Sequence, residues 1–135
     1  MATTQKIGPH QLLFDGDWVE LRFFGSVSGE HSTAIHARLA QVLAENDGRA
    51  HVLADISRLE TLELAARRDM AAWNSEHKIT AAAVFGGSFT VRTLVTLALK
   101  ALKLRDRDQL EAVFVKEEDE ARRWLAAVRA RREAK

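Results

Sequence analysis

Hydrophobic and polar positions along this chain change their period several times, and each change marks an element. Leu12, Leu13 and Phe14, and then Trp18 to Phe24, read as two strands joined at Asp15-Gly16-Asp17, because an Asp-Gly pair between apolar runs is a strong hairpin signal. In the second strand Val19, Leu21 and Phe23 alternate with Trp18, Glu20 and Arg22, so one side belongs to a core and the other is partly solvated. Gly25 ends that strand. The period then lengthens: Ile35, Leu39, Val42 and Leu43 keep the spacing of one helical stripe, Ser28 offers an N-cap and Asn46-Asp47-Gly48 a stop. This predicts a first helix from about Gly29 to Glu45.

The stretch from His51 to Arg68 is the one around which the rest is arranged. Val52-Leu53-Ala54 is a continuous apolar run, as in a strand buried on both faces, and Ile56 ends it. The pattern predicts a turn beginning at Asp55-Ile56-Ser57 and a second helix starting near Leu62, with Leu62, Ala66, Met70, Trp73 and His77 on one face. Thr80 to Phe85 is another short strand, Gly86-Gly87-Ser88 turns the chain, and a third helix runs from Phe89 to about Leu104. A last strand near Glu111 to Val115 leads into a helix from Glu117 to Arg132, whose inward stripe is Ala121, Trp124, Leu125 and Val128. The order ββαβαβαβα describes a single α/β domain over residues 11–132: a mixed sheet opened by a hairpin and continued by alternating βα units with right-handed crossovers. Residues 1–10 show no period and are expected to be mobile.

Composition narrows the function classes. A chain of 135 residues suffices for one core, and no apolar run approaches the roughly 20 residues of a membrane-spanning helix. The N-terminal MATTQKIGPHQ lacks the apolar centre of a secretory signal, and the absence of cysteine removes disulfide and thiolate chemistry; a cytoplasmic protein is expected. A net charge of +1 gives no bulk attraction to nucleic acid, and neither nucleic acid nor integral membrane association is expected. Charge is uneven at the end of the chain, acidic over Lys116 to Glu120 and basic at Arg129, Arg131, Arg132 and Lys135. That order complements a helix dipole, or it marks a basic interaction patch.

In an α/β domain ligands and partners meet the carboxyl ends of the strands, which directs attention to Asp55, Ser57 and the residues up to Leu64. Asp55 and Ser57 there either hydrogen-bond a partner or tie down the turn. Glu60 and Glu63 read as solvated first-turn acids rather than a catalytic pair. Gly86-Gly87-Ser88 opens a helix whose N-terminus favours an anion, with Arg92 in the first turn, yet the glycine spacing and lysine of a phosphate-binding loop are missing. His10, His31, His36, His51 and His77 are scattered, without the three- or four-residue spacing that puts ligands on one helical face, so no metal site and no cofactor is expected. A Ser/His/Asp triad assembled across the chain is neither supported nor excluded by spacing.

The third helix is apolar over too wide an arc. Val91, Leu94, Val95, Ala98, Leu99 and Leu102 form one stripe and Leu97, Ala101 and Leu104 extend it, covering roughly 200° where an ordinary surface helix needs about 100°. Something besides the sheet must cover this surface: a neighbouring helix such as the last one with Trp124, a second copy of the chain, or the ligand of an apolar groove lined by Leu94, Leu97, Ala98, Ala101 and Leu104.

The order of elements, the strand ending in Asp55-Ile56-Ser57 and the closing FVKEEDEARRWL from Phe114 to Leu125 together resemble the SpoIIAA-like branch of the STAS superfamily, the sulphate transporter and anti-sigma-factor antagonist domains. That branch is similar in fold to the lipid-binding lobe of CRAL-TRIO proteins. The resemblance extends from about Leu12 to Arg129 and implies a STAS-like fold that works by binding protein. Anti-sigma-factor antagonists carry a phosphorylatable serine in an Asp-Ser-Ser-Gly type motif at the start of the helix after the central strand. Glu63, Leu64, Ala65 and Ala66 stand at the corresponding positions here, with no hydroxyl to phosphorylate; Ser57 and Thr61 lie earlier. The resemblance therefore implies a non-enzymatic regulatory or interaction module without the kinase switch, meeting an unknown protein or a second copy of itself as a homodimer. Its contact residues would be Asp55, Ser57, Thr61, Glu63, Leu64, Ser88 and Arg92. The alternative is a carrier or sensor of a lipid or other apolar small molecule. An enzyme built on Asp55 and a histidine has the least support.

Overall fold

The computed structural model describes residues 2–105 and 111–133, and the side chains of residues 98–105 lie outside that description. Strands β1 (Thr3–Ile7), β2 (His10–Asp15), β3 (Trp18–Val27), β4 (His51–Leu62), β5 (Ala81–Phe85) and β6 (Glu111–Val115) form one six-stranded sheet in the order in which the chain makes them. Helix α1 (Gly29–Glu45) follows β3, α2 (Leu64–Glu76) follows β4, α3 (Phe89–Arg105) follows β5 and α4 (Glu118–Glu133) follows β6. β1, β2 and β3 pair antiparallel, and β3 to β6 pair parallel. The chain is thus a mixed α/β domain of alternating βα units.

Each parallel step moves one strand further in the same direction, and right-handed crossovers then put every connecting helix on the same face. The core divides accordingly. On that face Val19, Val52 and Ala82 pack with Ile35, Leu39 and Val42 of α1, and Ala54, Ile56 and Val84 pack with Ala66 of α2 and Val91 and Val95 of α3. On the opposite face Leu53, Ala83 and Phe85 meet Ala121, Leu125 and Val128 of α4, with Trp124 beside them. The last helix therefore lies across the sheet from α3, and Trp124 cannot cover α3's surplus apolar surface.

Two expectations are corrected. The N-terminal stretch expected to be mobile contains β1, paired with β2 from Thr3↔Phe14 to Ile7↔His10. Its first four residues are exposed and only Ile7 is buried, so the backbone ladder rather than an apolar face holds it, and the sequence shows no alternation. The turn expected at Asp55-Ile56-Ser57 does not interrupt the central strand, which runs on to Leu62 against a β3 that itself reaches Val27. Pairing shifts register between Arg22 and Phe24 and again between Gly25 and Ser26, where Gly25 has a φ of 73°. Ile56, Leu59 and Leu62 are buried in one cluster at a spacing of three, a period that imitates a helix.

The start of α1 shows how buried histidines are used. Ser28 Oγ accepts from the His31 amide at 3.1 Å, and His31 Nδ1 accepts from the Ser28 amide at 3.2 Å, a capping box. His10, almost wholly buried, accepts at Nδ1 from the Phe24 amide, which leaves the proton on Nε2 to be donated to His31 Nδ1 at 3.2 Å. The His10 ring is neutral in this arrangement. Burial and the neighbouring His31 lower the pKa of His10, and burial lowers those of His36 and of His51.

Helix α4 is tied to the sheet by charge at both ends. Arg122 Nη1 and Nη2 donate to the two oxygens of Glu20 at 2.8 Å each, and its Nε donates to Glu118 at 2.8 Å. These hydrogen bonds lower the pKa of Glu20 and raise that of Arg122 further. At the other end Arg129 meets Asp17 at 2.8 Å, and Arg131 and Arg132 meet Glu111 at 3.1 and 3.2 Å. The basic end of the chain that read as dipole complement or interaction patch is engaged with the sheet.

Two stability predictions follow from these contacts. A histidine whose folded pKa lies below its ordinary 6.5 leaves the unfolded chain binding more protons just below that pH, so stability is complete above 6.5 and falls as the pH drops through the window. The urea midpoint should be flat from about pH 8.5 to 7.5 and lower at about pH 5.5; an equal midpoint at pH 5.5 contradicts the neutral, buried assignment. Arg122→Ala should cost about 1–2 kcal/mol, because it leaves the largely buried Glu20 without its fork of donors. Arg123→Ala, on the exposed side of the same helix, should stay within about 0.5 kcal/mol in the same urea titration, and equal losses would refute the clamp.

Candidate functional site

The carboxyl ends of the parallel strands form a rim where α1, α2 and α3 begin. Asp55 stands at the first register shift of β4, and both of its oxygens are engaged. Oδ1 accepts from the Ser57 amide at 2.9 Å and from the Ser57 hydroxyl at 2.6 Å, while Oδ2 takes Arg22 Nη1 at 2.8 Å. Arg22 continues to Glu118 at 3.4 Å. Asp55 thus links β3, the irregular stretch of β4 and α4, and none of its hydrogen bonds goes to a histidine.

Beyond Asp55 the chain turns every third residue inward and offers the two between to solvent. Ser57, Glu60, Thr61 and Glu63 are exposed, while Leu59 and Leu62 turn inward. Glu63 is the N-cap of α2 through its backbone alone, without a side-chain capping bond, and its amide donates to the Val27 carbonyl at 3.0 Å. Leu64 opens the helix with half of its surface, 51%, in solvent. Ala65 abuts the first residue of α1 so closely that a Cβ on Gly29 would lie 2.8 Å from its methyl group. Glycine at 29 and alanine at 65 let the two helices start side by side.

Gly86 and Gly87, both at a φ of 87°, carry the chain from β5 into α3. A Cβ on Gly86 would come within 2.8 Å of Ser57 Cβ and 3.0 Å of its backbone, so this glycine serves a close approach between neighbouring connections. Ser88 Oγ accepts from the Val91 amide at 3.3 Å and caps the helix. Arg92 does not return to that helix end: its guanidinium lies over the Phe114 ring of β6, 5.8 Å from the centroid.

Arg92 there borders an open groove of about 500 Å³ between α3 and β6, with Phe89, Thr93 and Leu97 on the helix and Phe114, Val115 and Lys116 on the strand side. Phe89 and Leu97 are 79% and 60% exposed, whereas Leu94 packs against the core. Ala98, Ala101 and Leu104, read with them as an apolar groove or dimer face, lie outside the described side chains. A second hollow, of about 600 Å³, covers the helix-free face of the antiparallel strands beside Lys6, Gln11, Leu13, Glu20 and Arg22.

A Ser/His/Asp grouping exists elsewhere, and its geometry is structural. Asp69 of α2 takes Ser32 Oγ at 2.7 Å and His36 Nδ1 at 2.7 Å, and Thr33 Oγ1 at 3.2 Å. Ser32 also approaches His36 Nδ1, at 3.3 Å, so serine and aspartate share one ring nitrogen. A nucleophilic relay needs them on opposite nitrogens. The grouping ties α1 to α2, and the His36 ring stacks on Trp73, which stacks on His77 with centroids 4.8 and 4.6 Å apart. Among the described residues no three His, Asp or Glu side chains converge as metal ligands, and no helix is long and apolar enough to cross a membrane.

The contacts that the sequence did not announce are those between distant positions: Arg22 with Asp55, Glu20 with Arg122, and Arg92 with Phe114. For the first two the sequence signal is the regular alternation of β3, which places Trp18, Glu20 and Arg22 on the face that receives α4.

The architecture has solved counterparts. An uncharacterized protein of the DUF3478 family with a SpoIIAA-like fold, from Shewanella loihica PV-4, is similar over 93% of this chain and 92% of its own, with a TM-score of 0.59 and 18% identity. The anti-sigma factor antagonist SpoIIAA in its unphosphorylated form overlaps 91% of this chain and 96% of its own at a TM-score of 0.46 and 12% identity. No protein of curated function matches the chain. The family model for SpoIIAA-like proteins matches residues 18–126, from the first residue of β3 to within α4. With the six-stranded sheet, the three helices on one face and the fourth on the other, that match identifies the chain as a member of the SpoIIAA-like family.

Proposed function

We propose that this protein is a non-enzymatic regulatory module of STAS type that binds a protein partner through the rim formed by Ser57, Thr61, Glu63 and Leu64, with Ser88 and Arg92 at the start of α3 beside it. The observation that carries this reading is Leu64. A large aliphatic side chain, half in solvent, occupies the first turn of α2, where a phospho-switched relative would present a hydroxyl. An exposed leucine at a helix start gains nothing from solvent and gains about 1–2 kcal/mol when a partner covers it. With Glu63, Leu64, Ala65 and Ala66 in sequence, docking is constitutive rather than set by a kinase. The carboxylate that an enzyme would use at this rim, Asp55, is committed to Arg22 and Ser57.

A second reading, carriage of an apolar small molecule, draws on the groove between α3 and β6. Native mass spectrometry of gently purified protein tests it, a copurifying mass of a few hundred daltons being its signature for a pocket of ordinary size.

For the leading reading, a photo-crosslinker placed at Thr61 in cells of the source organism should give one discrete protein adduct. Leu64→Asp should abolish that adduct while shifting the urea midpoint by no more than an ordinary surface change, about 0.5 kcal/mol. Absence of any adduct from Thr61, or an adduct indifferent to Leu64→Asp, contradicts the rim as the docking surface.

A further inference from the structure

The two edges of the sheet are built differently. β1 is Thr-Thr-Gln-Lys-Ile with its first four residues exposed, a polar edge of the kind that discourages pairing with another chain. β6 is Glu-Ala-Val-Phe-Val, four consecutive apolar residues after a glutamate that Arg131 and Arg132 already hold. It contains no proline, bulge or inward charge, and among the described residues its outer side has no strand neighbour.

The surroundings of this edge match an added strand. Val91 and Val95 seat α3 against Ala54 and Val84, which leaves the helix's outer side and Phe114 as wall and floor of the open groove. Phe89, Thr93 and Leu97, four residues apart, stand on the helix away from its core stripe as an uncovered apolar surface, the Thr93 hydroxyl being donated back to the Phe89 carbonyl at 2.9 Å. Arg92 and Lys116 supply the charge, and neither has an acidic partner among the described residues; the nearby Glu118 is taken by Arg22 and Arg122. We propose that the free edge of β6 and its groove receive an extended acidic segment of a partner protein as an additional strand, its backbone on the β6 ladder, its apolar side chains on Phe114, Phe89 and Leu97, and its carboxylates on Arg92 and Lys116.

The chemistry of the groove selects this occupant over the others. A second copy would bring the same two cations and a glutamate that is already paired. An apolar small molecule would leave the hydrogen-bonding edge unused in a groove open along its length, whereas strand addition draws affinity from the main chain and specificity from alternate side chains. This surface shares Arg92 with the rim but not Leu64, and it extends the binding role to the sheet edge, so Leu64→Asp tests the rim and Leu97→Glu tests the groove.

The probes are an acetylated, amidated nine-residue peptide whose groove-facing alternate positions read valine, glutamate, valine, glutamate, valine with threonine between them, and its counterpart with lysine in place of glutamate, titrated into the full chain and followed by two-dimensional amide NMR. The glutamate peptide should shift the amides of Ala112 to Val115 and slow their exchange, and bind at least about tenfold more tightly than the lysine peptide. Arg92→Ala with Lys116→Ala should remove about that tenfold, Leu97→Glu should weaken binding, and Leu64→Asp should leave it unchanged. Equal binding of the two peptides, shifts confined to residues away from β6 and α3, or no shift at β6 overturns the proposal. So does a dimer whose dissociation by Leu97→Glu accounts for the covered groove.

Discussion

Right-handed crossover between parallel strands is the constraint on which the rest of this structure depends. Because β3, β4, β5 and β6 succeed one another in one direction across the sheet, α1, α2 and α3 have a single face available, and they fill it. Everything distinctive about the molecule is a consequence. Among the described residues the other face is left to α4 alone, the antiparallel strands next to it stay bare, and β6 ends the sheet. The three helix starts also gather at one rim, and their first residues form the surface proposed for a partner.

Charge completes what topology leaves open. An unconstrained C-terminal helix could settle on the sheet in more than one register; the fork from Arg122 to Glu20, the Arg22 link between Asp55 and Glu118, and the Arg129–Asp17 and Arg131/Arg132–Glu111 pairs fix one. Such pairs are individually modest when exposed, and their weight here comes from Glu20 and Asp17 being largely buried. The same network holds both oxygens of Asp55. A rim whose carboxylate is paired with Arg22, whose Ser57 hydroxyl is donated to that carboxylate, and whose exposed residues include Leu64 and Phe89 is the surface on which the proposed binding role rests.

Much of this was legible in the residues themselves. The helix starts at Ser28 and Ser88, the stop at Asn46, the strand over Glu111 to Val115 and the inward stripe of α4 all follow from local period and capping chemistry. The failures have local causes as well. β1 is an edge strand with one buried residue, so no amphipathic pattern exists to be read, and the two register shifts in β4 give Ile56, Leu59 and Leu62 a helical spacing inside a strand. Of the candidate site, Leu97 is singled out by the over-wide apolar arc of the third helix and Leu64 by its place after the central strand, and both are exposed. The destinations of Asp55 and Arg92 could not, since each is decided by a partner on another strand, Arg22 and Phe114.

The central claim is that this SpoIIAA-like domain binds through its rim without a phosphate switch. The most direct measurement is a calorimetric titration of the partner captured at Thr61 with chain shown by intact mass to carry no phosphate, repeated with Ser57→Ala combined with Thr61→Ala. Binding by the phosphate-free chain, weakened by no more than about tenfold when both rim hydroxyls are removed, is the predicted result. Binding that appears or disappears only when one of those hydroxyls is phosphorylated would contradict the account.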